Sequence, residues 1–310
     1  MTNFLISIVI PVYNEEQNIQ PLLKTLIPIL KPYQYEIIFV DDGSKDQTIP
    51  LIKQEAKKSQ SVKLLSFQRN FGHQMALTAG YHFAKGACTI TLDADLQDPP
   101  DIIPKMIERW EKGAKIVYAK RTKRDSDSFF KKLTAQAFYR FINFLSDTQI
   151  PDDVGDFRLL DREVVDFLKG LPEQSRFLRG LVAWSGFPAS YVTFERQKRH
   201  AGETHYPFSK MLNFALEGIA SFSVKPLRLS IYLGFIASAL SILVIAFKSV
   251  QHFIFHQGDW LPGWASLFFS IVFLGGIQLI TIGIIGEYVG KIYKEVQKRP
   301  QFLIKEKINL

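Results

Sequence analysis

Residues 87–106 of this 310-residue chain are ACTITLDADLQDPPDIIPKM, and the centre of this stretch decides the fold. Cys88–Leu92 is an apolar, β-branched run, which predicts a buried strand. Asp93 and Asp95 follow it at once, one residue apart, and Gln97 comes shortly after them. A buried strand that ends in polar groups is typical of open α/β sheets, in which ligands bind beyond the carboxyl ends of the strands.

The first 120 residues alternate between two patterns. Five short apolar runs predict strands at Ile6–Ile10, Tyr35–Val40, Val62–Phe67, Thr89–Leu92 and Ile116–Tyr118. Helix-like stretches lie between them near 17–30, 46–59, 72–84 and 99–112. Alternation of this kind with unbroken apolar strands predicts an α/β fold, a doubly wound and mostly parallel sheet covered on both faces.

Acidic residues gather at the ends of three of these strands. Glu15 follows the first strand, Asp41 the second, and Asp93 with Asp95 the fourth. Carboxylates that meet at one sheet edge repel each other unless a cation or hydrogen-bond donors offset their charge. We therefore expect Asp93, Asp95 and Gln97 to hold Mg²⁺ or Mn²⁺ against a phosphorylated ligand, because hard oxygen ligands suit these ions. The alternative for each group alone is a solvated turn with a helix cap.

Two apolar segments indicate a membrane protein. Residues 229–247 and 260–286 contain no charged side chain. Each reaches the length of about 20 residues that a spanning helix requires. We therefore expect a two-helix transmembrane domain over 227–290, with a pair of buried core helices as the alternative. Small residues on both segments suit close helix packing in lipid, within one chain or between copies in a homo-oligomer.

Basic residues predict the orientation in the membrane. Lys225 and Arg228 precede the first span, and the basic tail, 291–310, holds six basic residues against two glutamates. The connecting loop 248–259 has Lys248 alone. By the positive-inside rule we expect a multi-pass protein of the plasma membrane, with both ends and the first 225 residues in the cytoplasm. The apolar run at the N-terminus lacks a basic segment and a cleavage site, which favours a strand over a signal peptide.

Net charge and cysteine content restrict the possible partners and exclude one class of fold. The formal charge of +8 is compatible with nucleic acid, anionic lipid or a phosphorylated ligand as partner. The basic residues lie beside apolar spans and acidic strand ends, so we expect no nucleic acid partner. The single cysteine, Cys88, excludes a disulfide framework, and its apolar surroundings predict a buried thiol.

An ordered set of motifs gives the chain a family resemblance. IVIPVYNEE, VDDGSKDQT, RNFGHQMALTAG and DADLQDPP resemble family-2 glycosyltransferases of the GT-A fold. VGDFRLLDR, RFLRGLVAWSGF and RQKRHAGETHY, followed by two apolar segments, resemble bacterial polyprenyl-phosphate glycosyltransferases of the bactoprenol glucosyltransferase group, relatives of dolichol-phosphate mannose synthase. The resemblance covers nearly the whole chain. It implies a cytoplasmic GT-A domain over 1–205 that moves one sugar, with glucose favoured, from a UDP-sugar to undecaprenyl or another polyprenyl phosphate with inversion.

The resemblance also implies roles for individual residues. Four residues would bind the nucleoside: Pro11, Tyr13, Glu15 and Asp41, the last by accepting a hydrogen bond from the uracil imide. Asp93 would lie near the ribose and the metal, while Asp95 and Gln97 would hold the metal and through it the diphosphate. Asp156, in the VGDFR motif, would orient the sugar or the acceptor, with a helix cap as the alternative.

Residues 119–132, AKRTKRDSDSFFKK, contain six basic residues after the fifth strand. We expect Arg121 to bind the acceptor phosphate, because an arginine can hold a phosphate through two parallel hydrogen bonds. Arg124, Lys131 and Lys132 would assist or attract anionic lipid headgroups. A solvated loop is the alternative.

Apolar residues recur at helical spacing from 206 to 224, with only two charges. This pattern predicts an interfacial amphipathic helix over 206–226, with an ordinary core helix as the alternative. Such a helix would bring Arg196 and Arg199 close to the bilayer, where a lipid phosphate lies. In the preceding motif His205 stands where related sequences often have lysine.

Two other functions share some of these features. A processive polysaccharide synthase would share the GT-A motifs, but the chain lacks a Gln-x-x-Arg-Trp acceptor motif and has only two apolar spans. A noncatalytic nucleotide-sensing membrane subunit would be free to lose the set of Asp93, Asp95 and Gln97, which is intact here.

Overall fold

The computed structural model describes residues 4–122, 151, 154–174, 176–195, 224–253 and 263–310. The strands of the sheet are β1 (Leu5–Val12), β2 (Gln34–Asp41), β3 (Val62–Phe67), β4 (Cys88–Thr91), β5 (Ile116–Arg121), β6 (Val154–Asp161), β7 (Ala189–Phe194) and β8 (Ile304–Ile308). The helices are α1 (Glu16–Leu30), α2 (Thr48–Lys58), α3 (His73–Phe83), α4 (Ile103–Glu111), α5 (Arg162–Gly170), α6 (Leu178–Trp184), α7 (Lys225–Phe253) and α8 (Trp264–Gln297). The five strands and four helices predicted before residue 122 are confirmed.

The strands lie side by side in the order β7-β5-β6-β4-β1-β2-β3-β8. Strands β1 to β4 are parallel to one another, and β5 with β7 runs in the same direction. Only β6 and β8 are antiparallel to their neighbours among the described strands. The sheet is therefore mixed α/β and mostly parallel, as predicted. The reversed direction of β6 is not visible in its sequence.

Apolar side chains cover both faces of the sheet, as a doubly wound arrangement requires. On one face, α1, α2 and α4 pack through residues such as Leu22, Ile52 and Met106. On the other face, α3 and α5 pack through Leu77 and Val164. The Cys88 thiol is buried in the first of these cores, as predicted, and burial raises its pKa above the ordinary value.

The end of the predicted basic tail, 291–310, is part of the sheet. Strand β8 lies antiparallel to β3 at the edge of the sheet, which the sequence analysis does not predict. Phe302 stacks on Phe67 with ring centroids 5.2 Å apart, and Lys53 pairs with Glu306 at 2.6 Å. The alternating charges of IKEKI suggest a solvated segment, but they also suit an edge strand, which keeps charged side chains toward water.

Two long helices lie between β7 and β8 in the chain. Helix α7 has 29 residues and α8 has 34. Among the described residues, one helix, Ser270–Gln297 within α8, is long and apolar enough to cross a membrane. The second expected span, in α7, is not confirmed and stays a prediction. At 1.5 Å per residue α8 is about 51 Å long, so its charged C-terminal turns extend past a hydrocarbon core of about 30 Å.

Several predicted features lie outside the described residues. They are Arg124, Lys131, Lys132, Arg196, Arg199, His205 and nearly all of the expected interfacial helix.

Candidate active site

The loops that follow β1 and β2 are joined by hydrogen bonds. The Asn14 amide nitrogen donates to Ser44 Oγ at 2.9 Å, and Lys45 donates through its amide to Asn14 Oδ1 at 2.8 Å. Asn14 adopts a φ of 54°, a left-handed conformation that asparagine tolerates better than most residues. Glu15 donates its amide to Thr48 Oγ1 at 2.8 Å. These hydrogen bonds hold the two loops that carry the expected nucleoside-binding residues against each other.

Asp41 is completely buried at the end of β2. Its carboxylate accepts hydrogen bonds from the Gly43 and Ser44 amides at 3.2 and 3.1 Å and from Ser66 Oγ at 2.9 Å. Gly43 has a φ of 79°, and a Cβ there would meet the Arg69 carbonyl carbon at 2.7 Å. The turn after β2 therefore needs glycine for both its backbone angle and its close approach to the next loop.

Asp42 connects this turn to the start of α3. Its carboxylate accepts from the Phe71 amide at 2.6 Å and the Gly72 amide at 2.9 Å. Burial, with the charge of Asp41, raises the pKa of Asp42 in spite of these two donors. Gly72 precedes His73, the first residue of α3, so Asp42 helps to fix where that helix begins.

The Asp-x-Asp pair lies just beyond β4. The Gln97 amide donates to Asp95 Oδ1 at 3.1 Å, and Leu96 between them has a φ of 57°. Burial, together with the charges of Asp156 and Asp95, raises the pKa of Asp93. Asp93 and Asp95 are thus two carboxylates close together beyond the end of β4, where a cation would offset their repulsion.

Asp156 is buried and lies at the centre of a cluster of charged side chains. Arg179 donates to it from Nη2 at 2.8 Å and from Nε at 3.2 Å, and Arg158 Nη2 lies 3.4 Å away. His73 Nε2 lies 3.4 Å from Asp156 Oδ2 and 3.8 Å from Asp93 Oδ1. Burial alone would raise the pKa of Asp156, but Arg179, His73 and Arg158 hold it well below its usual range. Asp156 is therefore ionised at neutral pH and is not a helix cap.

The reversed strand explains how Asp156 reaches this place. Because β6 runs antiparallel to β4, Arg158 is opposite Thr91, and Asp156 lies two residues further toward the end of β4 that leads into Asp93. Thr91 also donates its hydroxyl to the Asp156 carbonyl oxygen. A parallel β6 would put its first residues at the opposite edge of the sheet.

Three charged residues of this cluster were not singled out from the sequence. His73 and Arg179 fall inside motifs quoted above, but nothing local distinguishes them from surface residues. Arg158 had a signal, because an arginine inside the apolar strand FRLL is buried only with a partner. Arg158 is completely buried and faces Asp156.

Arg121 lies at the end of β5, on the same edge as the Asp-x-Asp pair. Its Nη2 lies 3.4 Å from Asp98 Oδ1, and the Asp98 carboxylate is buried. A Cβ on Gly155 would lie 3.1 Å from Arg121 Nη2, so the glycine leaves room for the guanidinium. The structure thus brings Arg121 to the acidic loop 93–98 through a pair that the sequence did not predict.

The structure places the remaining predicted residues as follows. Tyr13 is exposed just after β1, Pro11 is buried in that strand, and Glu15 is partly buried and accepts from the Asn18 side chain at 2.5 Å. Their contacts with a nucleoside stay predictions.

The donor set fits a divalent cation. Asp93 and Asp95 supply hard carboxylate oxygens. Burial, with the charges of Asp156 and Asp95, raises the pKa of Asp93, and a cation would favour its ionised form. Within the described residues there is no group of three or more His, Cys, Asp or Glu arranged to hold a metal.

Comparisons with known proteins agree on a family. The family model described as glycosyl transferase family 2 matches residues 7–168. The SfII prophage-derived bactoprenol glucosyl transferase of Shigella flexneri is 45% identical over 303 residues, covering 97% of both chains. The prophage bactoprenol glucosyl transferase homolog of Escherichia coli K12 is 44% identical over 302 residues, covering 97% of this chain and 98% of its own.

Solved structures are more distant. Glucosyl-3-phosphoglycerate synthase from Mycobacterium tuberculosis, in complex with Mn²⁺, UDP-glucose and phosphoglyceric acid, is 18% identical, with a TM-score of 0.46. The match covers 70% of this chain and 78% of that one. A similarity this low carries no inference about ligands.

Proposed function

This chain belongs to glycosyl transferase family 2 and is a glycosyltransferase, and on that premise we propose that it transfers one glucose from UDP-glucose to a polyprenyl phosphate. The observation that carries the proposal is that carboxylates able to bind a cation and basic residues able to bind a phosphate lie at the same edge of the sheet. The loop with Asp93 and Asp95 offers oxygens to a cation, and Arg121 with the charged cluster around Asp156 lies beside it. The names of the relatives support bactoprenol as acceptor and glucose as sugar.

The donor would lie across the ends of β1, β2 and β4. Tyr13 is exposed beside the turn that Asp41 stabilises, which supports a nucleoside platform there. Asp93, Asp95 and Gln97 would hold Mg²⁺ or Mn²⁺, which when bound would neutralise the diphosphate and favour its departure. The Asp41 carboxylate already accepts three hydrogen bonds, two from its own turn and one from Ser66 on β3, so its proposed bond to the uracil imide would be a fourth.

The acceptor needs positioning more than activation. A phosphate monoester already carries an anionic oxygen, which attacks the anomeric carbon as the bond to UDP breaks, and no proton has to be removed. Arg121 would hold this phosphate with its planar fork. Asp156 is fixed by Arg179 and kept ionised, so it would accept hydrogen bonds from sugar hydroxyls and orient the ring.

Two membrane crossings are part of the proposal. The chain leaves the sheet after β7 and returns to it as β8, so both points lie on the same side of any membrane. Such a path crosses a bilayer an even number of times. A crossing by α8 therefore requires a second one, and α7 is the other long apolar helix in the described part of the chain. This supports both ends lying on one side of the membrane, which the basic flanks of the apolar segments predict to be the cytoplasm.

The decisive experiment is a transfer assay. Purified full-length protein would be incubated with undecaprenyl phosphate and each of a panel of labelled nucleotide sugars, with Mg²⁺, Mn²⁺ or chelator. We expect one lipid-linked sugar product, formed from UDP-glucose in the presence of metal. Transfer of several sugars in a chain would favour the polysaccharide synthase, and nucleotide binding without transfer would favour the noncatalytic subunit.

A further inference from the structure

We propose that Glu295, in the last turn of the membrane helix α8, is a positioning residue for the Arg179–Asp156 pair. Through it the position of α8 relative to the sheet domain would affect the geometry of the active site. The proposal rests on the proposed function above. Both oxygens of the Glu295 carboxylate accept from the Gln174 amide, at 3.0 and 2.9 Å. Gln301, just after α8, donates to the Glu173 carbonyl oxygen at 2.7 Å. The end of α8 thus holds two adjacent residues of the segment between α5 and α6, whose described residues (171–174, 176 and 177) are called here the α5–α6 loop.

The α5–α6 loop is held together as one piece. The buried side chain of Arg176 donates to the carbonyl oxygens of Leu168 at 2.6 Å, Leu171 at 2.5 Å and Glu173 at 3.2 Å. A single side chain therefore ties the end of α5 to the start of α6. Displacement of Gln174 or Glu173 by α8 would be transmitted to the residues that follow Arg176.

The next residues belong to the active site. The Leu178 amide, at the start of α6, donates to Gln74 Oε1 at 3.0 Å, and Arg179 follows with its two hydrogen bonds to Asp156. Gln74 comes directly after His73, which contacts Asp156 from the other side. The first turns of α3 and α6 are thus fixed to each other around Asp156, and the α5–α6 loop fixes α6 to α8.

The position of Glu295 is unfavourable for the helix itself. A carboxylate in the last turn of a helix lies at the negative end of the helix dipole, where basic residues are favoured. Its two contacts with the Gln174 amide give it a role outside its own helix. Displacements of about 1 Å at a distance from the reacting atoms can lower rates by as much as about 100-fold, so this contact is able to affect catalysis.

The experiment uses full-length protein in lipid nanodiscs, with undecaprenyl phosphate and UDP-glucose. We expect Glu295→Ala to lower kcat by about tenfold, with UDP affinity within about twofold of the parent, and Glu295→Gln to restore part of the rate. The matched control is Glu287→Ala, which removes an exposed glutamate from the same helix. An unchanged kcat in Glu295→Ala would overturn the proposal.

A double-mutant cycle tests whether the effect passes through Arg179. In an Arg179→Lys background the further effect of Glu295→Ala should shrink to less than about twofold, because coupled residues are not additive. Equal effects in both backgrounds would overturn the proposal. Hydrogen exchange gives a readout that needs no transfer: Glu295→Ala, but not Glu287→Ala, should speed exchange in residues 171–184. Absence of transfer by the parent protein contradicts the proposed function alone, whereas unchanged exchange contradicts this inference.

Discussion

His73 Nε2 lies 3.4 Å from Asp156 Oδ2, so an imidazole from the start of α3 meets a carboxylate from β6. Burial alone would lower the pKa of His73, but the hydrogen bond with Asp156 and the charges of Asp93 and Asp156 outweigh it and raise the pKa above 6.5. The contact with Asp156 therefore favours the protonated imidazole.

This pair predicts a pH-dependent stability. A histidine whose pKa is raised by folding stabilises the protein fully below its unfolded pKa of about 6.5, and the stabilisation is lost as pH rises through the folded pKa. With chelator present, the Tm of the parent should therefore exceed that of His73→Gln most at pH 6 and least at pH 9. Burial lowers the pKa of His82, so His82→Gln should show no trend or the opposite one. A Tm difference independent of pH for His73→Gln would contradict the ion pair.

Replacing Asp95 tests the metal site. Asp95→Asn should abolish transfer and weaken UDP binding mainly when Mg²⁺ or Mn²⁺ is present, because it removes one of two adjacent carboxylates beyond β4. Calorimetric titration of UDP with and without metal measures this. Asp101→Asn, an exposed position a few residues on, is the control. Parent-like binding and transfer in Asp95→Asn would remove Asp95 from the metal site.

Replacing Arg121 tests the acceptor site. A charge-assisted hydrogen bond is worth roughly 1.5–3 kcal/mol, so Arg121→Ala should lower kcat/KM for polyprenyl phosphate by about 10- to 150-fold. UDP affinity should stay within about twofold, and lysine should rescue only in part because it lacks the planar fork. The exposed Arg109 on α4 provides a matched Arg109→Ala control. Lost UDP binding with normal acceptor dependence would instead place Arg121 in the donor site.

Single cysteines test the membrane crossings. The native Cys88 is buried and should not react with an impermeant reagent in intact cells. A cysteine at Gln257 should be labelled from outside, and one at the exposed Arg299 only after the cells are permeabilised. Labelling of position 299 in intact cells would contradict a cytoplasmic C-terminus, and equal labelling of positions 257 and 299 would contradict a crossing between them.

Replacing Asn309 by alanine tests how much the edge strand β8 contributes to stability. Its side-chain amide donates to the Ala56 and Val62 carbonyl oxygens at 2.9 Å each, and its φ of 60° is unfavourable for alanine. Asn309→Ala should lower the free energy of unfolding by about 1–3 kcal/mol, which corresponds to roughly 2–12 °C in Tm. Lys305→Ala, on an exposed side chain of β8, should leave Tm nearly unchanged. Equal Tm values for Asn309→Ala and the parent would mean that β8 adds little to the sheet.

The sequence by itself determined the parallel core of the sheet and the chemistry at its edge. Each of β1 to β5 is an apolar run bounded by polar residues, and this local pattern depends only on burial and on the period of the backbone. The Asp-x-Asp pair and Arg121 directly follow or end such runs, so their shared edge was predictable from strand direction alone.

Only the tertiary structure decided which charged residues and which strands become partners. Asp156 meets His73 and Arg179 because β6 runs antiparallel between β4 and β5, and the sequence of a strand carries no sign of its direction. Three segments separated by more than 20 residues each supply one charge, and their pairing depends on which elements become neighbours. The same holds for β8. Its alternating charges would also suit a solvated segment, and it forms a strand because the open edge of β3 offers backbone hydrogen bonds.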